Sequence, residues 1–336
     1  MKKPVLGNHT VPWLDHRAAG VLLHPTSLPG TQGIGTLDHH ATQFLDLLQA
    51  AGFTYWQTCP LGPTGFGDSP YQCFSSFAGN PYLIDLQPLH AAGLLTAEQL
   101  KPLNTLPADR VDFGGLWQIK LPLLFSAHAA WVRLGRPSLP AYGDFSAFRA
   151  AHAPWLESYT LFSALKDHFG GKPWWEWPTE ARDCRAALRS RSPRELAART
   201  EGYAFIQHVF FAQWQSIRRH ASSRGIRIIG DIPIFTALDS ADVWARPDLY
   251  FLDEQHQPTV VAGCPPDGYS PEGQRWGNPL YRWERMAAEG YAWWVARVQR
   301  ALAQARLTLK FRCDRCFCLA NRCGTTMKHL RFDYDV

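Results

Sequence analysis

The sequence predicts an α/β fold in which parallel strands each end in a long loop. Three observations carry this. Short apolar runs recur as strand candidates, and each runs straight into a stretch rich in Pro, Gly, Ser, Thr or Asp. Segments of helical periodicity separate them. Between the second and third strands, from about 86 to 201, strand patterns stop and helical ones continue.

The elements follow in order. Gly20-Val21-Leu22-Leu23 is a buried-strand run, and a loop from His24 to Gly35 follows it. Ala41, Phe44, Leu45 and Leu48 fall at helical spacing, with Gly52 as terminator. Phe53-Thr54-Tyr55-Trp56 reads as the second strand and ends in a Pro/Gly loop from Pro60 to Pro70. Strand, helix, strand in this order implies a parallel pair with a right-handed crossover. The stretch from about 86 to 201 reads as a helical insertion and contains Pro173-Trp174-Trp175-Glu176-Trp177-Pro178. Ile206, Phe210, Trp214 and Ile217 then mark one helix face, with Gly225 beyond its end. Ile226 to Ile229 is the third strand, running into Gly230-Asp231. Leu249–Leu252 and Pro258–Val261 flank a polar turn and read as a hairpin. Trp294, Val298, Ala301, Leu302 and Ala305 share a last helix face, and Leu307–Phe311 is a candidate fourth strand. Parallel strands that each feed a long polar loop suggest a TIM (β/α)8 barrel, whose active site is built from those loops. A doubly wound sheet is the alternative, but its glycine phosphate-binding turn has no counterpart here.

Composition narrows the function classes. The 336 residues carry a net charge of +5, but seven basic against three acidic residues lie from Arg306 onward. The preceding body is therefore nearly neutral and gives no support to a nucleic-acid partner, which needs clustered positive charge. Cys59, Cys73, Cys184 and Cys264 are scattered, whereas Cys313, Cys316, Cys318 and Cys323 crowd the tail. Scattered cysteines, no apolar signal core after Met1-Lys2-Lys3-Pro4 and no membrane-length apolar run lead to the expectation of a cytoplasmic protein without a membrane partner. The aromatic load of 14 Trp, 11 Tyr and 19 Phe has two readings. One is a Trp-rich core. The other is a sugar-binding cleft, since pyranose C–H faces stack on aromatic rings.

Four clusters follow the strands. His24-Pro25-Thr26-Ser27-Leu28-Pro29-Gly30 is a loop taken alone. Gly67-Asp68-Ser69-Pro70-Tyr71-Gln72 puts a hydroxyl, a ring and an amide on one turn stiffened by proline, and leads to Gly79-Asn80-Pro81-Tyr82. It is either a sugar contact or a packed turn. Gly230-Asp231-Ile232-Pro233-Ile234 places Asp231 at a strand's C-terminal end, where binding and catalytic groups collect, or else makes it a turn cap. Asp239 suits the cap reading better, because Ser-Ala-Asp-Val-Trp follows. Pro265-Pro266-Asp267-Gly268-Tyr269-Ser270 and Gly273-Gln274-Arg275-Trp276-Gly277-Asn278-Pro279 offer a carboxylate, an amide and an indole on one irregular loop.

Together with Gly-Asn-Pro-Tyr-Leu-Ile-Asp-Leu and Asp-Ser-Ala-Asp-Val-Trp, these clusters resemble the amylomaltase (disproportionating enzyme) family of 4-α-glucanotransferases, glycoside hydrolase family 77, from about Gly20 to Ala305. The resemblance implies a TIM barrel acting on maltodextrins and other α-1,4-glucans, with no cofactor and no metal. Ser69 and Tyr71 match sugar-contacting positions, Asp231 an aspartate near the reacting sugar, and Asp267, Gln274 and Trp276 residues of the acceptor and donor cleft. It implies a retaining double displacement, in which two carboxyls about 5 Å apart flank one bond.

The tail departs from the family. An Arg-Ile/Leu-Asp-His motif should bring the nucleophile at the fourth strand, with the acid/base Glu on a later strand. Phe311 stands at the nucleophile's place, and Arg312-Cys313-Asp314 comes three residues late with no His after it. No catalytic residue is therefore assigned. The expectation is the N-terminal part of a barrel over 1–305, truncated near strand 4. The basic, Cys-rich stretch 306–336 reads as frameshifted, and the chain as inactive by itself. The competing readings are a non-catalytic maltodextrin-binding fragment and a zinc-binding tail using Cys313, Cys316, Cys318 and Cys323.

Overall fold

The computed structural model describes residues 17–304, apart from 191, 267 and 269, together with the backbone of 307–310. The Cys-rich tail, Phe311 and Asp314 lie outside the described residues.

Strand β1 (Gly20–Leu22), helix α1 (His39–Ala50) and strand β2 (Tyr55–Gln57) open the chain. The Asp38 carboxylate caps α1 by accepting from the His40 amide, and Ala41, Leu45 and Leu48 are its buried stripe. The second strand starts two residues later than the sequence suggests, because Gly52 adopts φ +77 and Phe53 still closes the helix end through a bond to Leu48. Two long helices follow, α2 (Phe113–Arg133) and α3 (Phe145–His168). Helix α4 (Ala197–Ser223) then packs on both of them and on β3 (Arg227–Asp231). Next come α5 (Ala241–Ala245), β4 (Val261–Cys264), β5 (Gln274–Pro279), α6 (Trp283–Ala288), α7 (Ala292–Gln304) and β6 (Leu307–Lys310).

Four strands form a parallel sheet in the order β1-β2-β3-β6. Trp56 pairs with Val21 on one side and Ile228 on the other, and Asp231 pairs with Lys310. Trp56 and Ile228 point into the helices and are buried, whereas Leu22, on the opposite face, is 60% exposed. The sheet therefore has one covered face and, among the described residues, one more open face.

The expected hairpin is rearranged. Its turn exists, with Asp253 N bonded to Gln257 O, but only one bridge joins Leu252 to Pro258. The antiparallel ladder is instead β4 with β5. Bonds flank that bridge on both sides, the second from Thr259 N to Phe251 O, but the Phe251 amide donates to Leu280 O instead of back to Thr259, so the ladder ends there. No helix among the described residues is long and apolar enough to cross a membrane.

Helix α4 explains one sequence motif. Gln207 bonds both the N–H and the C=O of Gly79, and Gln213 does the same for Asp85. Two glutamines thus act as substitute strand edges for the Gly79–Asp85 segment. A Cβ on Gly79 would lie 1.9 Å from the Phe210 ring, so only glycine fits there.

A candidate binding cleft at the strand ends

The loops after β2 and β3 and the strand β5 converge. Ser69 Oγ accepts from the Tyr71 amide at 3.2 Å and so shapes the turn that presents the ring. The Tyr71 hydroxyl donates to Asp231 Oδ2 at 2.8 Å across 160 residues of chain. Partial burial and this anionic acceptor push the Tyr71 hydroxyl above the ordinary tyrosine range. Even so, Tyr71 stays 45% exposed, so its ring face is open.

Strand β5 forms the other wall. Gln274 and Trp276 lie two residues apart and are exposed, whereas Gly277, at φ +79, and a shift in the β4–β5 register turn Asn278 into the interior. Gln274 Oε1 accepts from the Trp276 indole at 3.0 Å and fixes the ring, which is 37% exposed and backed by Phe235 at 6.2 Å. The two walls are tied by a residue that the sequence reading left out of the site. Gln72 and Asn278 exchange amide hydrogen bonds at 2.9 and 3.2 Å, and Asn278 also donates to Thr236 O. The signal was present, since both residues sit inside the quoted motifs. Their pairing across 206 residues depends on register that one sequence does not display.

Sequence reasoning also placed Tyr71 and Asp231 separately, and the structure joins them directly. Ser69 serves the turn, Gln274 orients Trp276, and Asp267 lies outside the described residues. Asp239 is not a cap. Ser240 caps α5 by accepting from Val243 N, while Asp239 pairs with Lys166 Nζ at 2.5 Å. Asp242, by contrast, is buried and accepts from the Ser76 amide at 2.7 Å, holding the loop that carries Tyr71. Burial raises its carboxyl above the usual range, and the Ser76 bond and the Arg297 charge work against that rise.

The two readings of the aromatic load now separate. Trp56, Trp131, Trp174, Trp177, Trp214, Trp244 and Trp294 are all buried, so most indoles are core. Trp276 is the one that the cleft exposes. A chain of hydroxyls supports the β3 loop behind it. Tyr250 donates to Thr236 Oγ1, and Tyr281 donates to Ile234 O. With the Tyr281 proton so committed, the 2.9 Å contact between Thr236 and Tyr281 has Thr236 as donor.

The one grouping of metal-ligand type among the described residues is Asp38, His39 and His40, with ligand atoms within 4.8 Å of one another. It sits at the N-terminus of α1, whose positive dipole end disfavours a cation.

A parallel α/β sheet whose C-terminal loops carry two exposed aromatic rings and a carboxylate has its binding groups where this class of fold builds its sites. A sequence profile described as 4-alpha-glucanotransferase matches residues 23–314. The chain belongs to the 4-alpha-glucanotransferase family. It is 50% identical over 286 residues to the 4-alpha-glucanotransferase of Thermus thermophilus and 40% identical over 290 to that of Streptococcus pneumoniae. These matches cover 85% and 86% of this chain but 56% of each relative, so the chain spans a little over half their length. Its mixed α/β fold also matches the amylomaltase from Streptococcus agalactiae in complex with acarbose, at TM-score 0.80 and 35% identity, over 88% of this chain and 59% of that one.

Proposed function

We propose that the cleft between Tyr71, Asp231, Gln274 and Trp276 binds an α-1,4-glucan as part of a 4-α-glucanotransferase. The observation that carries this reading is that Tyr71 and Trp276 keep exposed rings on two segments that the Gln72–Asn278 exchange joins, with the Asp231 carboxylate held on the Tyr71 hydroxyl. The Tyr71 and Trp276 faces stack on pyranose C–H faces. Asp231 accepts from the Tyr71 hydroxyl and so sets a carboxylate beside that ring. Ser69 holds the Tyr71 turn, and Asp267, outside the described residues, is the further cleft residue that the family resemblance implies. In the full reaction a glucan segment passes through a covalent glycosyl intermediate to a new 4-hydroxyl.

By itself the chain binds glucan without transferring it, because Phe311 stands where the family motif brings the attacking aspartate. The likeness that the motifs carry runs from about Gly20 to Ala305, inside a family match over 23–314, and this reading takes 306–336 as translated in another frame. Finding Arg-x-Asp-His in either other frame just past codon 305 supports this frame reading, and its absence from both removes it.

Titration with maltoheptaose tests the binding reading. Tyr71→Ala and Trp276→Ala are each expected to weaken affinity about tenfold, the equivalent of about 1.4 kcal/mol. Unchanged affinity in both variants would overturn the site. Incubation with maltotriose is expected to release no glucose. Glucose together with longer dextrins would sink the inactivity reading.

A further inference from the structure

We infer that Arg297 is a positioning residue for the glucan cleft, fixing the spacing of its two walls from behind. This rests on the glucan reading above.

Arg297 lies on α7 and is 1% exposed, with its guanidinium over the rings of Trp293 and Trp294 at 5.2 and 4.9 Å. Its fork reaches both walls at once. Nη2 donates to Pro233 O, while Nη1 donates to the Tyr281 hydroxyl at 3.1 Å and reaches Ile234 O at 3.5 Å. Pro233 and Ile234 directly follow Asp231 and Ile232, so these bonds fix the backbone that aims the Asp231 carboxylate. Tyr281 lies just beyond β5, and its ring stacks on Phe235, which in turn backs Trp276. One side chain therefore ties the carboxylate wall to the indole wall. Its charge also acts on Asp242, which holds the Ser76 amide of the Tyr71 loop.

The residue type fits the task. The bonds go to three acceptors on two segments, and a planar fork with fixed donor directions meets them where a lysine ammonium offers a single point. The carbonyls of Pro233 and Ile234 lie beyond the end of β3, outside its ladder, so they need donors from elsewhere. A purely stabilising role would not require both walls to share one cation.

The test compares wild type with Arg297→Lys, Arg297→Met and Tyr281→Phe by two measurements, each made well below every variant's melting transition. The first is maltoheptaose affinity. The second is amide hydrogen exchange over residues 232–236 and 274–281, with α2 as an internal reference. Arg297→Lys is expected to bind about tenfold more weakly and to exchange faster in both segments, with α2 unchanged. Arg297→Met is expected to go further in the same direction. Tyr281→Phe keeps the ring but removes the hydroxyl that accepts from Arg297 and Thr236 and donates to Ile234 O, and is expected to speed exchange in both segments and weaken affinity about threefold. A lowered melting temperature with wild-type affinity and exchange would overturn the inference and leave Arg297 a stabilising residue only. If wild type itself fails to bind maltoheptaose, the glucan reading falls. Exchange that then stays uncoupled between the two segments in the Arg297 variants would overturn the positioning role as well.

Discussion

Beneath the sheet, the core between the strands, α1 and α4 is packed mainly with aliphatic side chains such as Leu45, Leu48, Leu83, Val209, Ile217 and Ile228. Around the loops beyond the strand ends, the second core is dominated by Trp174, Trp177, Trp244, Trp294, Tyr250 and Tyr281. The two regions differ because their backbones differ. Strands and helices satisfy their own N–H and C=O groups, so a hydrocarbon core suits them. The loops leave carbonyls without a ladder partner, and a buried carbonyl needs a donor. Large rings with one polar atom supply both area and donor. Trp174 bonds Leu238 O, Trp177 bonds Lys172 O, Trp244 bonds Ala181 O and Tyr281 bonds Ile234 O. The same logic reappears in the aliphatic core wherever an element stops. Trp56 bonds Leu23 O just past β1, and Trp131 bonds Pro137 O just past α2.

Substitutions can break this contrast. Trp244→Ala removes a fully buried ring and orphans Ala181 O, with an expected loss of about 4 kcal/mol in denaturant unfolding. Leu45→Ala in the aliphatic core leaves a cavity but no orphaned polar group, and about 3 kcal/mol is expected. If Leu45→Ala costs clearly more than Trp244→Ala, the donor argument fails. Trp244→Phe isolates the donor, since it keeps most of the ring, and should cost about 1–2 kcal/mol. A neutral result would mean that the indole N–H contributes nothing.

The smallest effect lies at the seam between the cores. His152 packs against Phe148, Trp155 and Phe211, and burial pushes its imidazole down to about 4, helped by the nearby Arg300 charge. Below about pH 6.5 the unfolded chain takes up a proton at His152 that the folded chain refuses, so acid favours unfolding there. Melting temperatures of wild type and His152→Gln, followed from pH 7 toward pH 4, should therefore draw apart in favour of the variant. Parallel curves would show that His152 takes its proton equally in both states.

Much of this plan was legible in the sequence, for identifiable reasons. The strands at Gly20, Tyr55 and Arg227 and the apolar stripe of α1 are local patterns, which periodicity reports directly. Tyr71, Asp231 and Trp276 stood out because loops at strand ends collect unusual residue sets. Legibility failed where the outcome depended on long-range partners. The Gln72–Asn278 exchange, the donation of Arg297 to two loops and the glutamine clamps on Gly79 and Asp85 join residues that no local window compares. Asp239 and Asp242 look alike in sequence. One meets Lys166 and the other the Ser76 amide, and only the packing of α3 and the Tyr71 loop decides which.

The pairing of β2 with β3 has a kinetic consequence. Tyr55 and Arg227 are neighbours across 172 residues, whereas β1 and β2 meet across about 35. Closing the longer loop before its helices form costs about 1.4 kcal/mol more in chain entropy, and non-local pairings of this kind slow folding. Docking α2 and α3 onto α4 shortens the effective loop. The order of events favoured by chain entropy is therefore helices first, with the sheet, and the cleft at its rim, completed last.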